Sequence, residues 1–403
     1  MLDITRRRLL MSILTAPAFV GLSRALSACA RDDDPFIASA ADARDVFDFE
    51  RLARAKLPPA HWGYLKTGVD GDATLHANDA GFANYGLRVR RLVDISHVDT
   101  SVGLFGTTWP SPIFLDPVGS QRAFHPDGEI ASAKAARARK HLQILSTVAS
   151  TSLEDVCAAR GEPVWYQLYP TDQWPVTAAL VRRVEAAGCP VLVLTVDLQG
   201  GSNRIALARA VLRDPRDCTA CHTSSTRLAD EIAPKPMFRG LDVKAVNDLT
   251  PPDMSWDYVQ RLRDVWPRKL VLKGLVTRED ALLAVKHSVD GIIVSNHGGR
   301  AEDSGRASID SLAEVAPAVA GRVPVLLDGG VRRGADVVKA LALGATAVGI
   351  GRPYIWGLAS FGQEGVERVL EILQSELAGN MRQAGTRSLA EINASLVVDR
   401  RRP

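Results

Sequence analysis

The run Ser295-Asn296-His297-Gly298-Gly299-Arg300 closes the apolar stretch Gly291 to Val294. An imidazole directly after a buried strand, with two glycines beside it and a guanidinium close behind, is a proton acceptor next to an anion clamp. The glycines let backbone or ligand come close. The same letters also describe a turn whose histidine caps a neighbouring carbonyl, so the surrounding elements decide. A second group, Asp328 to Gly334 with Gly351-Arg352-Pro353, sets glycine amides at a helix start near an arginine fork. That is the composition of a phosphate site.

Such groups must be positioned, and the chain supplies a rhythm that does so. Eight apolar runs of strand length follow one another: PIFLDPVG, LQILSTVA, VWYQLY, VLVLTVD, KLVLKG, GIIVSNHGG, VPVLLDGG and TAVGIGRP. Helical patterns lie between them, among them 128–140, 152–160, 176–187, 256–266, 278–288, 311–320 and 334–343. Strands apolar on both faces and separated by helices form a parallel sheet, and eight units predict a closed (β/α)8 TIM barrel. A doubly wound sheet is the alternative, but no GxGxxG follows the first run. A barrel demands working residues at the C-terminal strand ends. Read in turn, those ends carry Pro117-Val118-Gly119, Ser146, Gln167 with Tyr169, Thr195 with Asp197, Lys273, Ser295 with His297 and Arg300, Asp328 with Gly330, and Gly351 with Arg352.

Before the barrel, residues 47–56 have helical periodicity. The stretch HWGYLKTG, holding Tyr64, reads as a loop-rich entry segment, with only short extended pieces from there to Trp109. After the fourth run the connection 198–255 is far longer than an ordinary βα loop and is therefore expected to be functional. It holds Arg204.

With 46% hydrophobic and 24% charged residues among 403, the chain buries a large core. Its net charge of +3 is matched by Arg6, Arg7, Arg8 and Arg24 against Asp3 in the first 28 residues. The remainder is near neutral, which argues against nucleic acid as a partner. Residues 5–10 resemble a twin-arginine export signal, and Leu26-Ser27-Ala28-Cys29 has the pattern of a lipoprotein processing site. The expectation is a signal peptide over 1–28, a lipid anchor on Cys29, a tether over 29–46, a barrel domain over 47–395, a tail over 396–403, and a periplasmic, membrane-anchored location.

In the long connection Cys218-Thr219-Ala220-Cys221-His222 has the attachment pattern of c-type haem, with Met237 available as a second axial ligand. A short-range disulfide and two free thiols are the other readings. Cys157 and Cys189 read as core residues.

Taken together, SNHGGR, LDGGVRRG and IGRP, with KLPPAHWGYLKTG, YQLY and LKGLVTREDA, resemble the FMN-dependent 2-hydroxy acid oxidase and dehydrogenase family from about Phe47 to Ile392. The resemblance implies FMN as cofactor and oxidation of an L-2-hydroxy acid such as lactate to the 2-oxo acid. It makes His297 the base, Asp197 its charge partner, Arg300 and Arg204 clamps on the substrate carboxylate, and Tyr64 and Tyr169 holders of its oxygens. Lys273 would lie by the flavin N1 and C2 oxygen. Pro117, Val118, Gly119 and Ser146, with Gln167, Thr195 and Ser295, would touch the ring or ribityl chain. Asp328, Gly330, Arg332, Gly351 and Arg352 would hold the ribityl and phosphate end. Oxygen, quinone or a cytochrome would take the electrons, and the subunits would form a homo-oligomer.

Three departures qualify the match. LQGGSNR stands where the family often has a proline-glycine-arginine run, Ala301-Glu302-Asp303 follows Arg300 in place of Gln-Leu-Asp, and Val148 replaces a bulkier aromatic of some members, implying a roomier pocket. Another FMN-barrel reaction, or an idle electron-transfer lipoprotein, are the alternative functions.

Overall fold

A computed structural model describes residues 36–216 and 227–401, and the compact unit begins at Ser39. Eight parallel strands close into a barrel: β1 (Ile113–Leu115), β2 (Leu142–Ser146), β3 (Trp165–Leu168), β4 (Val191–Thr195), β5 (Lys269–Lys273), β6 (Gly291–Val294), β7 (Val325–Leu327) and β8 (Ala347–Ile350). Each pairs with the next, and Val348 of β8 faces Ile113 of β1 to close the ring. All eight apolar runs are strands of this one barrel. Apart from Lys269 every strand residue is buried, because one face meets the interior and the other meets helices.

The interior is filled by Phe114, Ile144, Trp165, Val193, Val271 and Ile293 among others. Burying one such side chain contributes about 1.5–3 kcal/mol. A hairpin of two short strands, Val102–Leu104 and Thr107–Trp109, plugs the end at which the strands begin: Leu104 joins the interior cluster, and Phe105 packs on Trp165 at 5.4 Å between ring centres. That closure leaves the opposite end, where the strands terminate, as the open mouth.

The entry segment is more helical than its sequence suggests. Helix α1 (Val46–Lys56) starts at Asp45, whose carboxylate accepts from the amides of Phe47 and Asp48. Tyr64 lies on α2 (Pro59–Lys66), and a further helix, α3 (Ala73–Gly81), occupies ground expected to be extended. The expected tether is also ordered at its C-terminal end: Ala40, Ala43 and Val46 are buried, and Asp45 pairs with Arg333 at 2.7 Å. The expected tail is tied in as well, since Val397–Asp399 pairs antiparallel with Tyr85–Leu87.

Around the barrel run α4 (Gly128–Arg139), α5 (Leu153–Arg160), α6 (Trp174–Ala186), α7 (Ile205–Val211), α8 (Leu228–Ile232), α9 (Trp256–Val265), α10 (Arg278–Lys286), α11 (Ser308–Val319), α12 (Gly334–Ala342) and α13 (Arg352–Ala384). The last is broken at Phe361–Gly362, where Gly362 has φ +59°. The long connection after β4 therefore contains α7 and α8, and α7 packs so closely on α2 that a Cβ on Gly63 would lie 2.5 Å from that of Ala210. Cys189 is buried and Cys157 half-buried. Among the described residues no helix is long and apolar enough to cross a membrane.

Candidate active site

The strand ends converge on one cleft of about 790 Å³ including its mouth, within the range of cofactor pockets. Its chemical centre is the turn after β6. His297, Gly298 and Gly299 all have positive φ, at +58°, +66° and +76°. For histidine that backbone is strained, and the local hydrogen bonds hold it: the His297 amide donates to Ser295 Oγ at 3.0 Å, and the Gly299 amide to Asn296 Oδ1 at 3.1 Å. Gly299 must be glycine for a second reason, because α3 crosses so near that a Cβ would lie 2.5 Å from the Leu75 nitrogen.

This turn fixes the imidazole. His297 Nδ1 is 2.9 Å from Asp197 Oδ1, and Nε2 is 3.2 Å from the Tyr169 hydroxyl. A carboxylate cannot donate, so Nδ1 carries the proton and Nε2, at the cleft, is the acceptor of the Tyr169 hydroxyl. Burial lowers the pKa of His297 and Asp197 only partly restores it, while Lys273 and Arg300 lower it further. The ring is thus neutral at neutral pH and ready to accept a proton. Burial pushes Asp197 up, but His297 and Lys273 outweigh it and keep the carboxylate ionised. Burial, with Asp197 and Tyr64 nearby, holds the Tyr169 phenol well above its usual value, so it stays protonated.

Beside the base lies a cationic wall. The Arg300 guanidinium sits 4.3 Å from the Tyr64 ring centre, with Arg204 on the same ring at 5.6 Å. Burial raises the Tyr64 pKa, yet Arg300 and Arg204 bring it below the ordinary value. Arg300 and Tyr64 border the cleft. Arg204 does not: its Nη2 donates to the carbonyls of Tyr64 and Thr67 and to Thr67 Oγ1 at 2.9–3.0 Å, bracing the end of α2 from behind. Burial and Arg300 lower its pKa to about 9.

Beneath the cleft is a buried polar layer. Lys273 Nζ contacts Asp328 Oδ2 at 2.9 Å and Ser295 Oγ at 2.8 Å, and Ser295 donates to Asp328 Oδ1 at 2.5 Å. Burial would lower the lysine pKa, but Asp328, Asp197 and Asp116 raise it, so its charge is permanent. Gln167 accepts from Ser146 and donates to Thr195, at 3.2 and 3.0 Å. Gln167, Thr195 and Ser295 belong to this layer, whereas Pro117, Val118, Gly119, Ser146 and Val148 border the cleft itself.

At the far end Gly330, Arg332, Gly351 and Arg352 border the cleft. Arg352 is the informative one. Its guanidinium donates only to carbonyls, those of Leu65, Gly298 and Thr67. Burial and the neighbouring Arg332 and Arg300 pull its pKa to about 9. A partly buried guanidinium facing carbonyls and other cations suits an anion such as a phosphate. The expected helix-start cradle differs: the amides of Arg332 and Arg333 donate to Asp336, and that of Gly334 to Glu376, so the start of α12 is already satisfied. The cationic groups at this end of the cleft are Arg352, at the start of α13, and Arg332, which also reaches Asp79 at 3.0 Å.

Two further residues belong to the site. Asn78 of α3 and Asn296 exchange amide hydrogen bonds of 2.7 and 2.9 Å beneath the His297 turn. Asp116, at the end of β1, borders the cleft with its Oδ1 unpartnered. A charged residue ending a wholly apolar run was the available signal for Asp116; nothing marked Asn78. For the haem pattern, Cys218, Cys221 and His222 lie outside the described residues, and Met237 is fully buried in a turn held by Arg183.

The family model described as FMN-dependent dehydrogenase matches residues 53–399. The chain is 42% identical over 351 residues to 2-hydroxyacid oxidase 2 of Homo sapiens, spanning 87% of this chain and 97% of that protein. It is 37% identical over 356 residues to the L-lactate oxidase of Lysinibacillus sphaericus, spanning 87% and 92%. Among solved structures, a mandelate oxidase variant with (S)-mandelic acid superposes with a TM-score of 0.77 at 35% identity, covering 89% of this chain and 97% of that one. A flavocytochrome b2 double mutant with pyruvate bound gives 0.79 at 30% identity, covering 91% and 89%.

Proposed function

Since the chain belongs to the FMN-dependent 2-hydroxy acid oxidase and dehydrogenase family and is an oxidoreductase acting on CH–OH donors, we propose that this cleft oxidises an L-2-hydroxy acid to the 2-oxo acid with His297 as its base. The observation that carries this reading is the neutral imidazole, its lone pair at the cleft and its other nitrogen 2.9 Å from Asp197, next to the Arg300 guanidinium.

The residues fit FMN. Arg352 and Arg332 would hold the phosphate, Lys273 and the strand-end groups the rest, and the bound cofactor supplies the two-electron acceptor. Arg300 takes the substrate carboxylate, and its planar fork orients the 2-carbon. Tyr64 donates a hydrogen bond to a substrate oxygen, and Tyr169 does so once its hydroxyl turns from Nε2 of His297 to the substrate. Nε2 of His297 removes one proton as the C2–OH unit loses two electrons and two protons, the second proton leaving with the electrons to the bound cofactor. The resulting imidazolium is stabilised by Asp197, which stays ionised. Arg204 holds Tyr64 in place and adds positive charge behind the carboxylate.

The electrons then pass to oxygen, a quinone or a cytochrome. Residues 1–29 are read as an export signal and lipid-anchor site, with homo-oligomeric assembly as in the family. For the CTACH segment the readings are haem c, a disulfide or two free thiols, and an absorbance spectrum of protein made with haem maturation factors tests the first.

Anaerobic mixing with glycolate, L-lactate, D-lactate and L-mandelate tests the reaction at the flavin absorbance band. Bleaching by an L-2-hydroxy acid, lost in His297→Gln with flavin retained, is the expected result. No bleaching by any of the four, or normal bleaching in His297→Gln, overturns it.

A further inference from the structure

Asp116 has no part in the chemistry described, yet it is built into the cleft. Its backbone is pinned on both sides: the amide donates to Ile350 O of β8 at 3.0 Å, and its carbonyl accepts from the Tyr354 hydroxyl of α13 at 2.8 Å. The side chain has no such anchor. It is 9% exposed, and Oδ1 has no hydrogen-bond partner. Space for it is reserved by β8, since a Cβ on Gly349 would lie 2.3 Å from Oδ1. The next glycine, Gly351, leaves Oδ2 in the open, 3.8 Å from where its Cβ would stand.

The charges facing this carboxyl are unfavourable to its ionised form. Asp328, at the end of β7, repels it. Lys273, at the end of β5, is committed to Asp328 and Ser295. Tyr354 of α13 spends its proton on the Asp116 carbonyl. Burial and Asp328 accordingly raise the Asp116 pKa well above the ordinary carboxyl value, with Lys273 opposing. A neutral carboxyl carries one O–H, and no described protein atom accepts it.

We propose that Asp116 is a cofactor ligand of the FMN site, entering it as the neutral acid and donating its proton in a hydrogen bond to an oxygen of the bound FMN. The inference rests on FMN filling this cleft. It adds a consequence the reaction itself does not require: flavin retention falls when Asp116 ionises. Binding an anionic cofactor against a neutral acid is favourable, whereas binding it against a carboxylate repels. Affinity is therefore greatest below the pKa of Asp116 in the apoprotein and declines as pH rises through it.

The test is FMN binding to the full-length apoprotein, followed by quenching of free-FMN fluorescence from pH 6 to 10. Wild type is compared with Asp116→Asn, which keeps a donor but cannot ionise, and Asp116→Ala, which has neither property. Expected are wild-type and Asn affinities within about threefold at pH 6, diverging as wild type weakens tenfold or more at high pH. Ala binds about tenfold more weakly than Asn throughout. The ratio to Asn cancels titration of the FMN phosphate. Parallel profiles for wild type and Asn, or Ala binding as tightly as Asn, overturn the proposal. So does an Asn variant as weak as Ala at pH 6, which would mean that the ionised carboxylate is the ligand. Substrate bleaching plays no part in this measurement, so the ligand role and the hydroxy acid reaction fail separately.

Discussion

His297 and Asp197 leave the barrel from β6 and β4, a hundred residues apart and with β5 between them, and meet in one hydrogen bond of 2.9 Å. The pair sets the pH dependence. A protonated His297 cannot act as base, so kcat/KM rises with pH through the imidazole pKa. Burial, the leading cause, holds that pKa below the ordinary value of about 6.5. The acid limb is therefore expected below pH 6.5. Asp197→Asn removes the charge that supports the imidazolium, which moves the limb to still lower pH while kcat falls by about 10²–10⁴. A pH–rate profile of both proteins measures this. An unchanged limb in Asp197→Asn would separate the two residues.

Arg300 faces the cleft with its guanidinium against the Tyr64 ring. Arg300→Lys keeps the charge but loses the planar fork and the stacking. With about 1.5–3 kcal/mol for a charge-assisted hydrogen bond, KM for the hydroxy acid should rise about 10- to 100-fold, with FMN content unchanged. Steady-state kinetics alongside the flavin absorbance ratio read both quantities.

What was legible in the chain follows from which signals are local. The eight strands are apolar on both faces, so each shows as an uninterrupted run whatever its partners, and the polar group ending it marks the mouth. Helix α2 hides its periodicity behind Pro58, Pro59 and Gly63, and α3, ATLHANDAG, is mostly small and polar and enters through Asp72 at φ +61°. Both are held by packing across the mouth, a tertiary cause that no short window contains. Arg204 shows the same limit: the resemblance gives it a clamp role, while its bonds to the carbonyls at the end of α2 depend on groups that only the fold brings near it.

Lys273 and Asp328 are 5% and 4% exposed and 2.9 Å apart. Lys273→Met removes the cation from a cluster that still holds Asp328 and Asp197. Leaving a buried carboxylate unpaired costs about 3–5 kcal/mol. Urea unfolding of the apoprotein should show a loss of that order, and acid relieves the unpaired negative charge of the cluster. The deficit should therefore shrink as pH is lowered. A deficit independent of pH would mean that packing of the lysine stem, and not the charge pair, is what the substitution removed.

Asn78 tests how much of the base is made by its support. Its Oδ1 accepts from the Ser308 amide at 2.9 Å and from Asn296 Nδ2, while its Nδ2 donates to Asn296 Oδ1. Asn296 in turn takes the Gly299 amide and so fixes the turn that holds His297 at φ +58°. Asn78→Ala leaves buried polar groups on both sides unpaired, at about 1–3 kcal/mol of stability. It also frees the strained histidine backbone to relax, so kcat should fall tenfold or more although Asn78 touches no substrate. Asn78→Asp retains the two accepted bonds and loses the donated one, so its defect should lie between. Because the acid limb reports the environment of the imidazole, it should move in Asn78→Ala towards the ordinary histidine value as His297 becomes more exposed. A variant that loses stability while keeping wild-type kcat and the wild-type limb would show that the β6 turn holds its shape without α3.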